Sequence, residues 1–122
     1  MSETQENIDI LDAESISSLH ELLQDDFLDI LSSFINLMPE LIEDLKTLSE
    51  SKDLNSIAKI THSIKGASGN VGAIYLSNTC ESLEFGLRNN SIEEPSPYID
   101  KIEEAASITL NELRDKFFQV SS

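Results

Sequence analysis

A chain of 122 residues with 39% apolar content suffices for one domain that closes its own core without disulfides or metal. Its formal net charge of -15, from 23 acidic against 8 basic residues, argues against nucleic acid or an anionic membrane as partner, because both need basic patches. The single cysteine, Cys80, permits no intramolecular disulfide and no cysteine-rich metal site, and it suits a reducing compartment.

The segment Met1 to Asp9 is polar and acidic, without the basic start and apolar run of a secretory signal. No apolar stretch reaches membrane-spanning length, so the expected location is the cytoplasm. Residues 1–10 lack periodicity and read as a flexible lead to a domain over residues 11–120.

Asp12 is a preferred N-cap, and Ile16, Leu19 and Leu23 follow at helical spacing, predicting a short first helix. Ser15 stands where a capping box would carry Glu or Gln. Asp25 and Asp26 open a longer helix, which carries Phe27, Leu31, Phe34, Met38, Leu41, Leu45 and Leu48 in steps of four and three. Pro39 lies inside it, and because the same face stays apolar on both sides, a kink is expected rather than a break. A third helix is capped by Asp53, carries Ile57, Ile60, Ile64, Ala67 and Val71, and stops at Gly69, Asn70 and Gly72. The fourth runs from about Ala73 through Leu76, Cys80, Leu83 and Leu87 to Asn89-Asn90. Residues Ser91 to Pro97 read as a loop, and the fifth helix carries Ile99, Ile102, Ala106, Leu110, Leu113 and Phe117, with Pro97 in its first turn.

No strand pattern occurs, so the chain is all-α. Four long amphipathic helices on short connections fold most economically as an antiparallel up-and-down four-helix bundle, with the short additional N-terminal helix capping one end.

The third helix carries the chemistry. At 100° per residue, His62 lies roughly 170° from the centre of the apolar stripe and faces water. Its neighbours one turn away are Ala58, Lys59, Lys65 and Gly66, with Asn55 and Gly69 two turns away. Three of the six lysines, Lys52, Lys59 and Lys65, fall between positions 52 and 65, where only Asp53 is acidic, so a locally basic segment stands in an acidic chain.

An exposed imidazole is mostly neutral at pH 7 and is therefore able to attack phosphorus, and nearby lysines favour the neutral form. Lys65 is placed to contact phosphoryl oxygens. Gly66 and Gly69 cost helix stability of about 1 kcal/mol each relative to Ala. In return they let another protein's active site approach the imidazole.

His62-x-x-Lys65-Gly66, followed by Gly72-Ala73, Leu76, Cys80, Leu83 and Glu84, resembles the signature of histidine-containing phosphotransfer (HPt) domains. With Phe34, Pro39 and Leu41 upstream, the likeness extends over about residues 11–118. The resemblance implies a four-helix bundle in which His62 accepts a phosphoryl group from a receiver-domain aspartate and donates it to another receiver. Lys65 would then be the electrostatic partner and Gly66 the clearance residue, with Lys59, Gly69, Asn55 and Ala58 on the partner-binding surface. It also implies a phosphocarrier rather than an enzyme, one that binds no nucleotide and no cofactor, with Mg2+ belonging to the receivers of response regulators and hybrid sensor kinases. A bundle that closes four apolar stripes within one chain needs no second copy, so a monomer is expected.

Other readings fit less well. A sensor-kinase dimerisation module would have an acidic residue after the histidine and a proline shortly beyond, where this chain has Ser63 and Gly66. No glycine-rich nucleotide loop is present. Nothing near His62 in sequence supplies a nucleophile and orienting carboxylate, which argues against a hydrolase, and two histidines without clustered carboxylates make a poor metal site. His20 reads as structural, Cys80 as a buried inert thiol, and Phe27, Phe34 and Phe117 as core. The remaining alternative is a helical adaptor that binds and regulates a receiver or kinase without carrying phosphate.

Overall fold

The computed structural model describes residues 9–118, so the lead expected over residues 1–10 falls largely outside the described residues. Five α-helices follow in chain order: α1 Ala13–Leu23, α2 Phe27–Ser51, α3 Leu54–Asn70, α4 Ile74–Arg88 and α5 Ser96–Phe117. A 3-10 turn, Gln24–Asp26, joins α1 to α2, and no strand occurs among the described residues. The four long helices pack in the ring α2, α3, α4, α5 and back to α2, which is the expected up-and-down bundle with α1 added at the end of α3.

Two helix starts use the same device. Asp12 accepts hydrogen bonds from the N–H groups of Glu14 and Ser15, and the Ser15 hydroxyl donates to its second oxygen at 2.9 Å. Asp53 and Ser56 repeat the pattern at the start of α3, again with a 2.9 Å hydroxyl contact. The serine hydroxyl thus ties down the cap where a capping box would use Glu. The Ser15 hydroxyl and N–H hold the Asp12 carboxyl below its ordinary range.

α2 runs unbroken through Pro39. Its buried face is wider than the expected stripe. Ile35 and Ile42 are buried, whereas Leu41 and Leu48 are only half-buried. The helix is clamped between α3 and α5, and Ile42 turns toward α5, sharing an edge with Ala106 and Leu110. α3 differs similarly: Thr61 and Ser68 are buried, while Ile60 and Ala67 are half-buried. Ser68 is admitted to the core because its hydroxyl donates back to Ile64 O at 2.6 Å.

The turn after α3 holds the N-terminal helix. Gly72 adopts φ +76, and the Asp12 N–H donates to its carbonyl at 2.8 Å. A side chain at Gly72 would strike Ile16, the one buried residue of α1, so the glycine is required both by backbone sign and by close approach. His20 stacks on buried Phe27 at 4.3 Å, and Phe117 meets Phe27 edge-on at 5.3 Å, which gives His20 the structural place expected. The loop before α5 is shorter than expected, since α5 begins at Ser96. It also carries a core residue, Ile92, seated against Gly86 of α4.

Candidate functional site

His62 lies on the outer face of α3, with 69% of its side chain exposed. None of the main grooves among the described residues is lined by it. The imidazole therefore stands on an open surface and has no enclosing pocket. Gly66, one turn on, has nothing within 4 Å of where a Cβ would be, and Gly69 has only the Ser77 hydroxyl at 3.8 Å. The surface beside the ring is as bare as the glycines imply.

α4 supplies what the sequence reading lacked. Glu84, spaced 22 residues from His62, places Oε2 2.7 Å from His62 Nδ1. Its other oxygen, Oε1, stands 2.8 Å from Lys65 Nζ, which is also bonded to Glu81 Oε1 at 2.8 Å. Arg88, one turn beyond Glu84, reaches Oε2 at 3.5 Å. The Glu84 side chain is only 10% exposed. Lys65 first and His62 after it hold its carboxyl below the ordinary carboxylate range, against the opposing effect of burial. At neutral pH Glu84 is ionised and can only accept, so the proton of this hydrogen bond sits on Nδ1, and in the neutral ring the lone pair is then on Nε2. Among the described residues Nε2 has no hydrogen-bond partner. Such a ring presents one nucleophilic nitrogen outward, in a tautomer set by the carboxylate behind it.

This corrects two expectations. An orienting carboxylate does accompany His62, supplied by α4 and not by sequence neighbours. The group in contact with the imidazole is thus an anion, although the lysine run suggested cations. The basic segment is also dispersed in three dimensions. Lys52 pairs with Glu94 at 3.1 Å and Lys65 with Glu81 and Glu84, while Lys59 lines a groove toward α2 with Asp44 and Leu48.

Of the surface residues named from sequence, Lys59, Gly66, Gly69 and Asn55 are exposed and Ala58 is half-buried. Gly69 borders a second groove, with Leu19 and Leu22 of α1. The Lys65 ammonium is raised above its ordinary range, chiefly by Glu81 and then Glu84, and is fully charged at neutral pH. The residues missed from sequence were Glu81 and Arg88, together with the role of Glu84. A usable signal existed: 81, 84 and 88 recur at helical spacing on one side of α4, flanking Cys80 and Ser77, which pack toward α3.

Comparison with protein families matches the Hpt domain over residues 29–116. Among solved structures, the chain is similar to histidine-containing phosphotransfer protein B (HptB) from Pseudomonas aeruginosa PAO1. That match has a TM-score of 0.81 and 24% identity, covering 91% of this chain and 99% of that one. It is also similar to the HPT domain of a sensor hybrid histidine kinase from Shewanella, with a TM-score of 0.77 and 18% identity, covering 93% and 97%. Comparison with curated proteins finds no match. At these identities the two structures establish the bundle, while the family match covers α2 through α5 and includes His62 and Glu84. The chain belongs to the Hpt domain family, whose members are phosphocarrier modules of two-component signalling.

Proposed function

We propose that the chain is a phosphorelay intermediate, in which His62 accepts a phosphoryl group from a receiver-domain aspartate and passes it to the aspartate of another receiver. The observation that carries this reading is the exposed imidazole with Nδ1 engaged by Glu84 and Nε2 open to an approaching protein. In the forward step Nε2 attacks phosphorus, the P–O bond to the donor aspartate breaks, and the released carboxylate keeps the electron pair. Lys65 and Arg88 turn from Glu84 toward the added phosphoryl oxygens and balance their charge. The receivers bring the Mg2+ and the acidic pocket. Gly66 and Gly69, with Asn55, Ala58 and Lys59, form the floor on which they dock.

The test is transfer of label from a phosphorylated receiver to a second receiver, with the parent and with His62→Gln. The parent is expected to pass label and the variant to pass none. Transfer by the variant at the parent's rate would sink the carrier reading. A variant that still binds receivers and alters their output would support the adaptor alternative.

A further inference from the structure

The fate of a phosphoryl group on Nε2 of an imidazole depends on the other ring nitrogen. When Nδ1 is protonated, water attacks phosphorus, the P–Nε2 bond breaks with its electron pair returning to the ring, and neutral imidazole and phosphate result. When Nδ1 is bare, the same step must expel an imidazolate anion, a far poorer leaving group. In this protein Nδ1 does not face water. It faces a nearly buried carboxylate oxygen at 2.7 Å, and a bare Nδ1 would set its lone pair against that anion.

We propose that Glu84 is a positioning residue that keeps Nδ1 protonated after His62 is phosphorylated, and so sets a short lifetime and a high donor reactivity for the phosphohistidine. The inference rests on His62 being the phosphoacceptor. The charged groups around the ring are Glu84, Glu81 and Arg88 from α4 and, on its own helix, Lys59 and Lys65 at i−3 and i+3. α2 and α1 pack on other edges of α3, bringing Asp44 beside Lys59 and Glu14 beside Gly69. Glu84 is the one among these bonded to the ring. Arg88 and Lys65 share its carboxylate and compete with Nδ1 for it. Arrival of the phosphoryl group gives both cations a second anion, which frees the carboxylate to hold the ring proton more firmly.

The experiment phosphorylates the full chain with phosphoramidate and follows loss of the group by 31P NMR from pH 5 to 9, in the parent and in Glu84→Gln. In both, the hydrolysis rate is expected to fall as pH rises, with the parent's midpoint about one pH unit or more above the variant's, the scale of an opposite charge in contact. Above both midpoints the variant then keeps its phosphoryl group about tenfold longer. Superimposable profiles would overturn the proposal. Should Glu84→Gln fail to fold, 15N NMR of the ring nitrogens in the phosphorylated parent decides. Nδ1 is expected to keep its proton to a pH about one unit or more higher in the folded phosphoprotein than in the same phosphoprotein unfolded in urea, and equal midpoints would overturn the proposal. A folded parent that takes no label on His62 would instead overturn the carrier reading, and this inference with it.

Discussion

Glu84 Oε2 lies 2.7 Å from Nδ1 of His62, and the same carboxylate is bonded to Lys65 through its other oxygen. One side chain of α4 therefore joins two residues of α3 that sequence reasoning linked only to each other. The pairing also has a signature in stability. A carboxyl held below its ordinary value stabilises the fold fully above its unfolded titration range, and the contribution is lost as pH falls through its folded value. Glu84→Gln is expected to lower stability by about 1–2 kcal/mol at pH 7, the scale of hydrogen bonds to charged groups. The gap in Tm between parent and variant should close as pH falls past the ordinary glutamate range and through the lowered value at which the folded parent's carboxyl takes up a proton. Thermal unfolding by circular dichroism between pH 3 and 7 checks this, and a gap independent of pH contradicts the ion-pair assignment.

The bundle was legible because its information is local. Asp12 and Asp53 cap their helices within one turn, and the spacing of Leu31, Phe34 and Met38 needs no knowledge of neighbours. His62 was legible for the same reason, as its distance from the stripe through Ile57 and Ile64 follows from helix geometry alone. The roles of Glu81, Glu84 and Arg88 were not legible, because they depend on the register of α4 against α3, which pairwise packing decides. In the sequence Glu84 stands only as the last residue of the matched signature, beside the Leu83 core position, with no partner assigned to it. Thr61 and Ser68 were passed over for a related reason: burial beneath two neighbouring helices widened the buried face beyond the apolar residues.

Two of the three helical glycines, Gly66 and Gly86, are expected to respond in opposite ways. Alanine at Gly66 meets nothing within 4 Å, so the gain in helix propensity stands alone and stability rises by up to about 1 kcal/mol. At Gly86 an added Cβ collides with the buried Ile92 side chain, and the propensity gain is outweighed by overpacking of about 1–3 kcal/mol. Tryptophan at Gly66 should leave melting nearly unchanged while slowing transfer from a receiver tenfold or more, since it covers the approach to His62. Urea titrations of the two alanine variants, with transfer rates for the tryptophan variant, test the assignment of that face as docking surface. A large stability loss at Gly66 would contradict it.

Cys80 is buried and its thiol is pushed up to about 12, first by desolvation and then by the charge of Glu84. Thiolate is therefore scarce at pH 8, and the side chain is inaccessible as well. Reaction with an aromatic disulfide reagent should be at least a hundredfold slower in the native protein than in guanidinium, and transfer activity should be unaffected by oxidants that modify exposed thiols. Rapid labelling of folded protein would show that the junction of α3 and α4 opens far more readily than its packing implies.

Lys65 gives the clearest separation between a structural and a functional contribution, because its side chain is 27% exposed and bonded to two carboxylates. Reversal to Glu sets three carboxylates together and confounds repulsion with loss of function. Lys65→Met keeps the aliphatic stem and removes the charge alone. It should leave stability at neutral pH little changed, because the Glu81 arm of the network is solvent-screened and Arg88 still serves Glu84. Phosphoryl acceptance from a receiver should fall about tenfold, the loss of one charge-assisted contact to the arriving group. Binding of the unphosphorylated receiver should change much less. Measuring the acceptance rate and receiver affinity in parallel distinguishes the cases: equal losses in both would assign Lys65 to docking, and no loss in rate would remove it from the chemistry.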